Sequence, residues 1–223
     1  GKTSTSSDTA AIGSIIRDYL LANPEVLLEA MQELEKKQET QRDSVAVKAI
    51  KTYESELLRD GDSPIAGNPN GDVTIVEFMD YQCGYCKRVY NVMKSVVAAD
   101  GKVKIIYKDL PILGEASRIA ASAALAAARQ NKYLALHNAL MEFRGPLDRA
   151  RIFDVAASVG IDVHQLEKDM EAPEVKQIIE RNLALAGALG VRGTPAFVIG
   201  KQFVPGAIDA DALKKLIADA RRG

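Results

Sequence analysis

The sequence predicts an α/β fold in which a large helical block interrupts a sheet and a helical segment precedes it. Residues 73–79 (VTIVEFM) form a continuous β-branched and aromatic run, and residues 102–109 (KVKIIYKD) form a second one, with helical spacing between them. Continuous apolar runs are typical of strands buried on both faces, so this unit is predicted to be a parallel βαβ crossover. Residues 196–199 and 202–204 predict two more strands, and Asp209 is expected to cap a final helix.

The composition is that of an ordinary globular protein and excludes several classes of function. Hydrophobic residues make up 47% of the 223 residues, and the formal net charge is -1. Because there is no basic stripe and aromatic residues are few, nucleic acid is not expected as a partner. The longest apolar run, residues 119–128, is far shorter than the roughly 20 residues that cross a bilayer. The small, polar N-terminus contains no signal peptide, which leaves a cytosolic protein or an exported one whose signal was removed.

Residues 1–60 are predicted to form a separate N-terminal helical region. Apolar residues recur at helical spacing, Asn23 and Pro24 are typical of a helix start, and the middle of the segment, EKKQETQRDS, is polar. A narrow apolar stripe on so charged a helix needs a partner, either its own domain or copies of itself. We expect an oligomerisation region and stalk in residues 1–60 and a catalytic domain in residues 61–223.

Both cysteines of the chain, Cys83 and Cys86, lie in the stretch DYQCGYCK. A closed zinc site needs four ligands, and His137 and His164 show no ligand spacing with the pair, so each is expected to be a lone surface or half-buried histidine. Two thiolates could still hold Cu(I) transiently, because Cu(I) favours soft ligands. A disulfide across two residues removes little chain entropy and stabilises little. Beside a βαβ unit, the pair instead favours a redox-active disulfide.

The start of a helix is a position that makes a thiol reactive. Unpaired amides and the positive end of the helix dipole would face the Cys83 sulfur and lower its pKa below the free value of about 8.5. Cys83 is then the attacking thiol, and Cys86, one turn further on, is the resolving thiol. Thr194 and Pro195 precede a predicted strand, and a cis bond there would offer the Thr194 backbone to an incoming peptide. The alternative is an ordinary loop proline.

The stretches VEFMDYQCGYCK, KDLPILG and VRGTPAFVIG, with the helical block between the last two, resemble the DsbA-like branch of the thioredoxin superfamily. The resemblance covers about residues 62–223. It implies a thioredoxin fold with an inserted helical subdomain at about residues 115–190.

The same resemblance implies roles for individual residues. It gives Cys83 as the attacking cysteine, Cys86 as the resolving one, and Pro195 as the cis-proline with Thr194 before it. Glu77, six residues before Cys83, matches a buried acidic residue that relays protons to the resolving thiol. In so apolar a strand, a buried glutamate with a raised pKa is expected, although a surface strand carboxylate is the alternative.

The leader NPEVLLEAMQ resembles a narrower group, the ScsC-like proteins linked to suppression of copper sensitivity, some of which form trimers through N-terminal helices. The active-site dipeptide departs from the Pro-His of the best-known oxidases, because Gly84 and Tyr85 stand there. Without that histidine the Cys83 thiolate loses a donor, so the disulfide should be less oxidising. Thr194 also replaces a valine and is shared with disulfide isomerases.

These resemblances imply a periplasmic thiol-disulfide oxidoreductase that acts on unfolded or misfolded proteins containing cysteines. An oligomer with several active sites could hold a misfolded chain while its disulfides rearrange, which favours an isomerase. The alternatives are a monomeric oxidase and a protein that relays Cu(I) or maintains partner thiols. The expected partners are a second and third copy of the chain and a membrane reductase or oxidase. No cofactor is expected beyond the Cys83–Cys86 disulfide.

Overall fold

The computed structural model describes residues 5–222, so residues 1–4 of the predicted N-terminal region lie outside it. The chain divides into two compact units between Val45 and Ala46. The first unit contains helix α1 (Thr5–Ala22) and most of helix α2 (Glu25–Thr52). Among the side chains described between residues 9 and 45, none is buried.

The two long helices meet at the predicted helix start. The Asn23 side chain donates a hydrogen bond of 2.9 Å to the Tyr19 carbonyl, so it closes the end of α1, and the next helix begins after Pro24. Most of the large apolar side chains of both helices are exposed within this unit. The exposed ones are Ile12, Ile15, Ile16, Tyr19, Leu21, Leu27, Leu28, Met31, Leu34 and Val45.

The second unit begins earlier than the predicted boundary after residue 60. The end of α2 and the short helix α3 (Glu54–Leu58) bury Ile50 and Leu57 in an apolar cluster on the sheet. Asp60 forms a 2.6 Å ion pair with Lys108, whose side chain is buried. Residues 46–60 are therefore part of the second compact unit, because these apolar and ionic contacts attach them to it.

The second unit is built on a mixed sheet of five strands in the order β1-β3-β2-β4-β5. The strands are β1 (Ile65–Gly67), β2 (Val73–Met79), β3 (Val103–Asp109), β4 (Ala196–Ile199) and β5 (Gln202–Pro205). The central pair, β2 and β3, is parallel, and the other neighbours are antiparallel. Helix α4 (Gly84–Asp100) forms the crossover and ends at Gly101, which adopts a left-handed backbone with φ 71°.

A helical block lies between β3 and β4, as predicted. Its helices are α5 (Glu115–Ala127), α6 (Tyr133–Glu142), α7 (Arg149–Ser158), α8 (Val163–Met170) and α9 (Pro173–Ala188). Pro173 opens α9 at a helix N-terminus, where its missing amide hydrogen is tolerated, and so separates α8 from α9. The chain closes with α10 (Ala210–Arg222), whose first turn is capped by the Asp209 carboxylate at 2.8 Å from Ala212 N.

The two faces of the sheet carry two separate apolar clusters. Alternate residues of β2 point to opposite faces, so Val76 and Phe78 enter one cluster with the segment that contains Leu57. Ile75 and Met79 enter the larger cluster, which also contains the two cysteines. Glu77 shares the alternation of Ile75 and Met79 and therefore lies on the cysteine face of the sheet.

Candidate active site

The thiol pair lies where β2 gives way to α4. Cys83 is the N-cap residue of α4, with an extended backbone (φ −75°, ψ 112°), and its sulfur accepts a hydrogen bond of 3.4 Å from Cys86 N. Both residues are free thiols with little or no exposed surface. The cap places the Cys83 sulfur against the first amides of the helix, where a negative charge is favoured.

The surroundings of Cys83 stabilise its thiolate. A hydrogen bond from the Cys86 thiol, helped by the Thr194 side chain and the backbone amides of Cys86 and Tyr85, outweighs partial burial and lowers the pKa of Cys83 to about 5. At neutral pH the sulfur is therefore ionised, and the thiolate is the nucleophilic form of cysteine.

Cys86 has the opposite environment, although it lies only one helical turn away. Its side chain is fully buried, and burial raises its pKa well above the ordinary range, with the hydrogen bond to Cys83 acting in the same direction. A neutral, buried thiol cannot begin an attack on an external disulfide. It can react only with the Cys83 sulfur, once that sulfur is bonded to a substrate sulfur that can leave as a thiolate.

The Thr194-Pro195 segment lies directly beside the Cys83 sulfur. The Sγ of Cys83 is 3.1 Å from the Thr194 carbonyl oxygen, and the Thr194-Pro195 peptide bond is cis. The carbonyl of Pro195 accepts a hydrogen bond of 2.9 Å from Gly206 N, which anchors this loop to the end of β5. The fold thus brings Thr194 and Pro195 beside Cys83, although Thr194 lies 111 positions after Cys83 in the sequence.

Glu77 is buried on β2, beneath the thiols. It lies opposite Tyr107 of β3 and Phe197 of β4, and only 3% of its surface is exposed. Burial, together with the nearby charge of Cys83, raises the pKa of Glu77 to about 8. The carboxyl is therefore mostly protonated at pH 7 and can exchange a proton near neutrality.

The dipeptide between the cysteines faces solvent. Gly84 is exposed at the first helical position, and the Tyr85 ring is 58% exposed. The Arg88 guanidinium lies 4.2 Å from the centre of the Tyr85 ring, so a cation–π contact holds the ring on the outer surface of α4. An exposed aromatic ring next to a reactive thiol is available to a bound polypeptide.

The sequence interpretation of His137 as a lone surface or half-buried residue is wrong. His137 is fully buried on α6, and its Nδ1 lies 3.1 Å from the Tyr81 hydroxyl. Burial lowers the pKa of His137 to about 3, so the ring is neutral. Its hydrogen-bond partner is 56 positions away and carries no periodic signal. Four buried tyrosines surround the ring: Tyr81, Tyr90, Tyr107 and Tyr133. His164, in contrast, is exposed.

Sequence reasoning also missed two aspartates at the ends of the central strands. Asp109 is fully buried, accepts a hydrogen bond of 2.8 Å from the Tyr133 hydroxyl, and has its pKa raised to about 7 by burial. Asp80 is buried as well, directly after β2. Their place in the sequence could have indicated them, because each lies at the end of a buried strand. Polar residues at the carboxyl ends of parallel strands gather at one edge of a sheet.

Among the side chains that the structure describes within residues 5–222, no group of three His, Cys, Asp or Glu is placed to hold a metal ion. In the same range, no helix is both long enough and apolar enough to cross a membrane.

Two family descriptions match the chain. The DSBA-like thioredoxin domain matches residues 74–218, and the copper resistance protein ScsC N-terminal domain matches residues 8–41. The curated relatives include the Na(+)/H(+) antiporter NhaA of Herminiimonas arsenicoxydans, which is 29% identical over 160 residues. That match covers 71% of this chain, which spans about a quarter (26%) of the antiporter's length.

Solved structures resemble both the catalytic unit and the whole chain. A thioredoxin-like oxidoreductase from Silicibacter pomeroyi is 45% identical, with a TM-score of 0.74, over 76% of this chain and 98% of that one. A linker-deletion variant of Proteus mirabilis ScsC is 30% identical, with a TM-score of 0.74, over 99% and 98%. A periplasmic thioredoxin-like protein from Salmonella enterica serovar Typhimurium is 31% identical, with a TM-score of 0.69, over 77% and 97%. With its thiols at the helix start and its helical insertion, the chain belongs to the DSBA-like thioredoxin domain family, in its ScsC-like branch.

Proposed function

We propose that this protein is a periplasmic thiol-disulfide oxidoreductase that acts as a protein disulfide isomerase on misfolded proteins. The observation that carries the proposal is the contrast within the thiol pair. Cys83 is ionised and borders the Thr194 carbonyl, whereas Cys86 is neutral and buried. This is the arrangement expected of one attacking and one resolving thiol.

The reaction begins with the Cys83 thiolate. It attacks one sulfur of a substrate disulfide, forming a Cys83–substrate disulfide and releasing the other substrate sulfur as a thiolate. That thiolate attacks a second substrate disulfide, and a substrate thiolate then displaces Cys83. Bonds are exchanged, no net electrons are transferred, and no cofactor is required.

A second route passes through the Cys83–Cys86 disulfide. If Cys86 attacks the mixed disulfide, the substrate leaves reduced and the protein is left oxidised. Cys86 must lose its proton to attack, and Glu77, the buried carboxyl on the same face of the sheet, is proposed as the group that takes it when ionised. A membrane reductase would then return two electrons, whereas an oxidase as partner would keep the disulfide formed.

The N-terminal helices favour isomerase over oxidase. Their apolar side chains are exposed within the first unit, and residues 8–41 match the ScsC N-terminal domain. We propose that these helices associate between copies, with a trimer favoured, so that several Cys83 thiolates face one misfolded substrate. The proposed periplasmic location is supported by the similarity to a Salmonella protein described as periplasmic.

The proposal is tested by refolding scrambled ribonuclease with reduced protein. The full chain should recover ribonuclease activity, whereas Cys83→Ala should not. A chain that begins at residue 46, the start of the second compact unit, should retain dithiol oxidation but lose most isomerase activity. Light scattering on the same samples should give an oligomer for the full chain and a monomer for the shortened one.

Two results would contradict the isomerase assignment. One is a monomeric full chain that refolds scrambled ribonuclease no better than the shortened chain. The other is a Cys83–Cys86 pair that is trapped fully oxidised in the native compartment, which would favour the monomeric oxidase instead.

Copper handling is a second candidate, favoured by the match of residues 8–41 to a copper resistance protein domain. Two thiolates at Cys83 and Cys86 would give a low-coordinate Cu(I) site. Titration of the reduced protein with Cu(I), in parallel with Cys83→Ser, separates this function from thiol exchange. Equal binding by both proteins would remove the Cys83 site from consideration.

A further inference from the structure

The Asp80 side chain accepts four hydrogen bonds where the thiol loop meets the loop that follows β3. Its Oδ1 accepts from Gln82 N at 2.8 Å and from Ser117 Oγ at 2.7 Å. Its Oδ2 accepts from Ile112 N at 2.9 Å and from Leu113 N at 3.0 Å. The side chain is almost completely buried, so these four donors replace the water that a carboxylate would otherwise bind.

The backbone of Asp80 is attached to the attacking cysteine. Its carbonyl accepts a hydrogen bond of 3.0 Å from Cys83 N, so Asp80, Gln82 and Cys83 form one tight turn. Asp80 therefore holds the thiol loop through its carbonyl and Oδ1, and the loop after β3 through Oδ2.

The loop that Asp80 holds presents two apolar side chains to solvent. Ile112 is 42% exposed and Leu113 is 52% exposed, although both backbone amides are bonded to a buried carboxylate. Fixed amides under exposed apolar side chains make a rigid surface, which loses little conformational entropy when a polypeptide binds it. Asp80 therefore links the loop that carries these apolar side chains to the turn that ends at Cys83.

We propose that Asp80 is a positioning residue that holds Ile112 and Leu113 beside Cys83 as a contact surface for apolar residues flanking a substrate cysteine. The inference rests on the proposed thiol exchange. It gives this loop a part in selecting substrates whose reactive cysteine has apolar neighbours. Loss of the carboxylate releases the loop after β3 and also removes the bond from Gln82 N. The Asp80 carbonyl still accepts from Cys83 N, and the Cys83 sulfur keeps its donors from Cys86, Thr194 and Tyr85. The effect should therefore fall on KM for apolar substrates more than on the reactivity of the thiolate.

The test uses the full chain and two short peptides that each carry one cysteine as a mixed disulfide with glutathione. Leucines flank the cysteine in one peptide, and serines flank it in the other. The proteins compared are wild type, Asp80→Ala, Asp80→Asn and the control Ser117→Ala, which removes a single bond to the carboxylate. For Asp80→Ala we expect KM to rise about tenfold for the leucine peptide, the size of a lost apolar contact, and to change little for the serine peptide.

Two readouts separate positioning from a general structural effect. Hydrogen exchange at the Leu113 amide should be faster in Asp80→Ala than in wild type. The Ile112 amide, which also donates to the Leu110 carbonyl at 2.9 Å, should change less, and exchange in strands β2 and β3 should be unchanged. Alkylation of Cys83 by iodoacetamide at pH 7 should stay within about twofold of wild type, because its thiolate donors remain. Asp80→Asn, which keeps one acceptor oxygen, should fall between Asp80→Ala and wild type.

A second variant keeps the test decisive if Asp80→Ala does not fold. Ile112→Ser combined with Leu113→Ser leaves all four bonds to Asp80 in place and should raise KM for the leucine peptide in the same way. An unchanged leucine preference in this double variant would overturn the inference. If wild type exchanges with neither peptide, the proposed function itself fails.

Discussion

The helices of the two units carry the same kind of apolar pattern and bury it to very different extents. In α2 of the first unit, Leu34 is 55% exposed, and no described side chain between residues 9 and 45 is buried. In α6 and α7 of the second unit, Leu136 and Ile152 have no exposed surface. A period of 3.6 residues specifies which face of a helix is apolar but does not specify what covers that face.

This difference in burial indicates that the two units have different roles: the second contains the thiol site, and the first offers an apolar surface for association. Every residue of the thiol site, from Glu77 to Pro195, lies in the second unit, where the sheet and helices form a core. The first unit contributes exposed apolar surface, which soluble proteins seldom keep without a partner. The proposed self-association would cover that surface. Self-association would then depend on the first unit and thiol chemistry on the second, and each can be changed without the other.

The largest expected effect is on the stability of the second unit. Leu136→Ala removes a fully buried side chain and should lower the free energy of unfolding by about 2–5 kcal/mol. The same change at Leu34 should leave the unfolding of the catalytic unit almost unchanged and weaken association instead. Urea unfolding followed by circular dichroism and light scattering at several concentrations measure the two effects.

Equal losses of unfolding free energy for the two leucine variants would contradict the separation of tasks. Leu28→Ser, another exposed position of α2, serves as a matched control, because it should also act on association alone.

The next effect tests where the catalytic unit begins. Asp60→Asn leaves Lys108 buried without its ionic partner and should cost about 3 kcal/mol of stability. Burial lowers the pKa of Lys108, and the Asp60 carboxylate opposes this shift. Combining Asp60→Asn with Lys108→Met should recover much of the loss, since the unpaired charge is then gone. If residues up to 60 were only a stalk, Asp60→Asn would leave thermal unfolding unchanged.

Elements with continuous apolar patterns could be predicted from the sequence. The predicted strands at 73–79 and 196–199 agree with β2 and β4, and the thiol pair lies at the predicted helix start. In each case the residues that decide the element are neighbours in sequence. The pattern therefore contains the local information that is needed.

Polar contacts inside the core could not be predicted in the same way. Lys108 reads as a polar residue at the end of a strand, and its partner Asp60 lies in a turn-rich segment 48 positions away. His137 pairs with Tyr81 over a similar separation. Such pairs are selected by tertiary geometry, and no periodicity of a single segment reports them.

A smaller effect concerns Glu77 and depends on pH. The pKa of Glu77 is raised from 4.5 to about 8 in the folded protein, so the unfolded chain ionises first. Its contribution to stability therefore decreases as pH rises from about 4.5 to 8. Glu77→Gln should match wild type near pH 4.5 and be more stable by roughly 1–2 kcal/mol above pH 8, since relaxation around the carboxylate reduces the full effect. Urea unfolding of the reduced proteins across this range gives the difference, and a constant difference at all pH values would contradict it.

The smallest expected effect is on the pKa of Cys83, which should be the same in the full chain and in a chain without the first unit. This comparison tests most directly whether the two units act separately. Absorbance of the thiolate at 240 nm should increase with a midpoint near pH 5, because the donors that lower the pKa of Cys83 stabilise its ionised form. Those donors are Cys86, Thr194 and Tyr85, all in the second unit, so a chain that begins at residue 46 should titrate at the same midpoint. Cys83→Ala should remove the transition in both chains. A difference of more than about half a pKa unit, or about 0.7 kcal/mol, would mean that the N-terminal helices reach the thiol and that the two tasks are coupled.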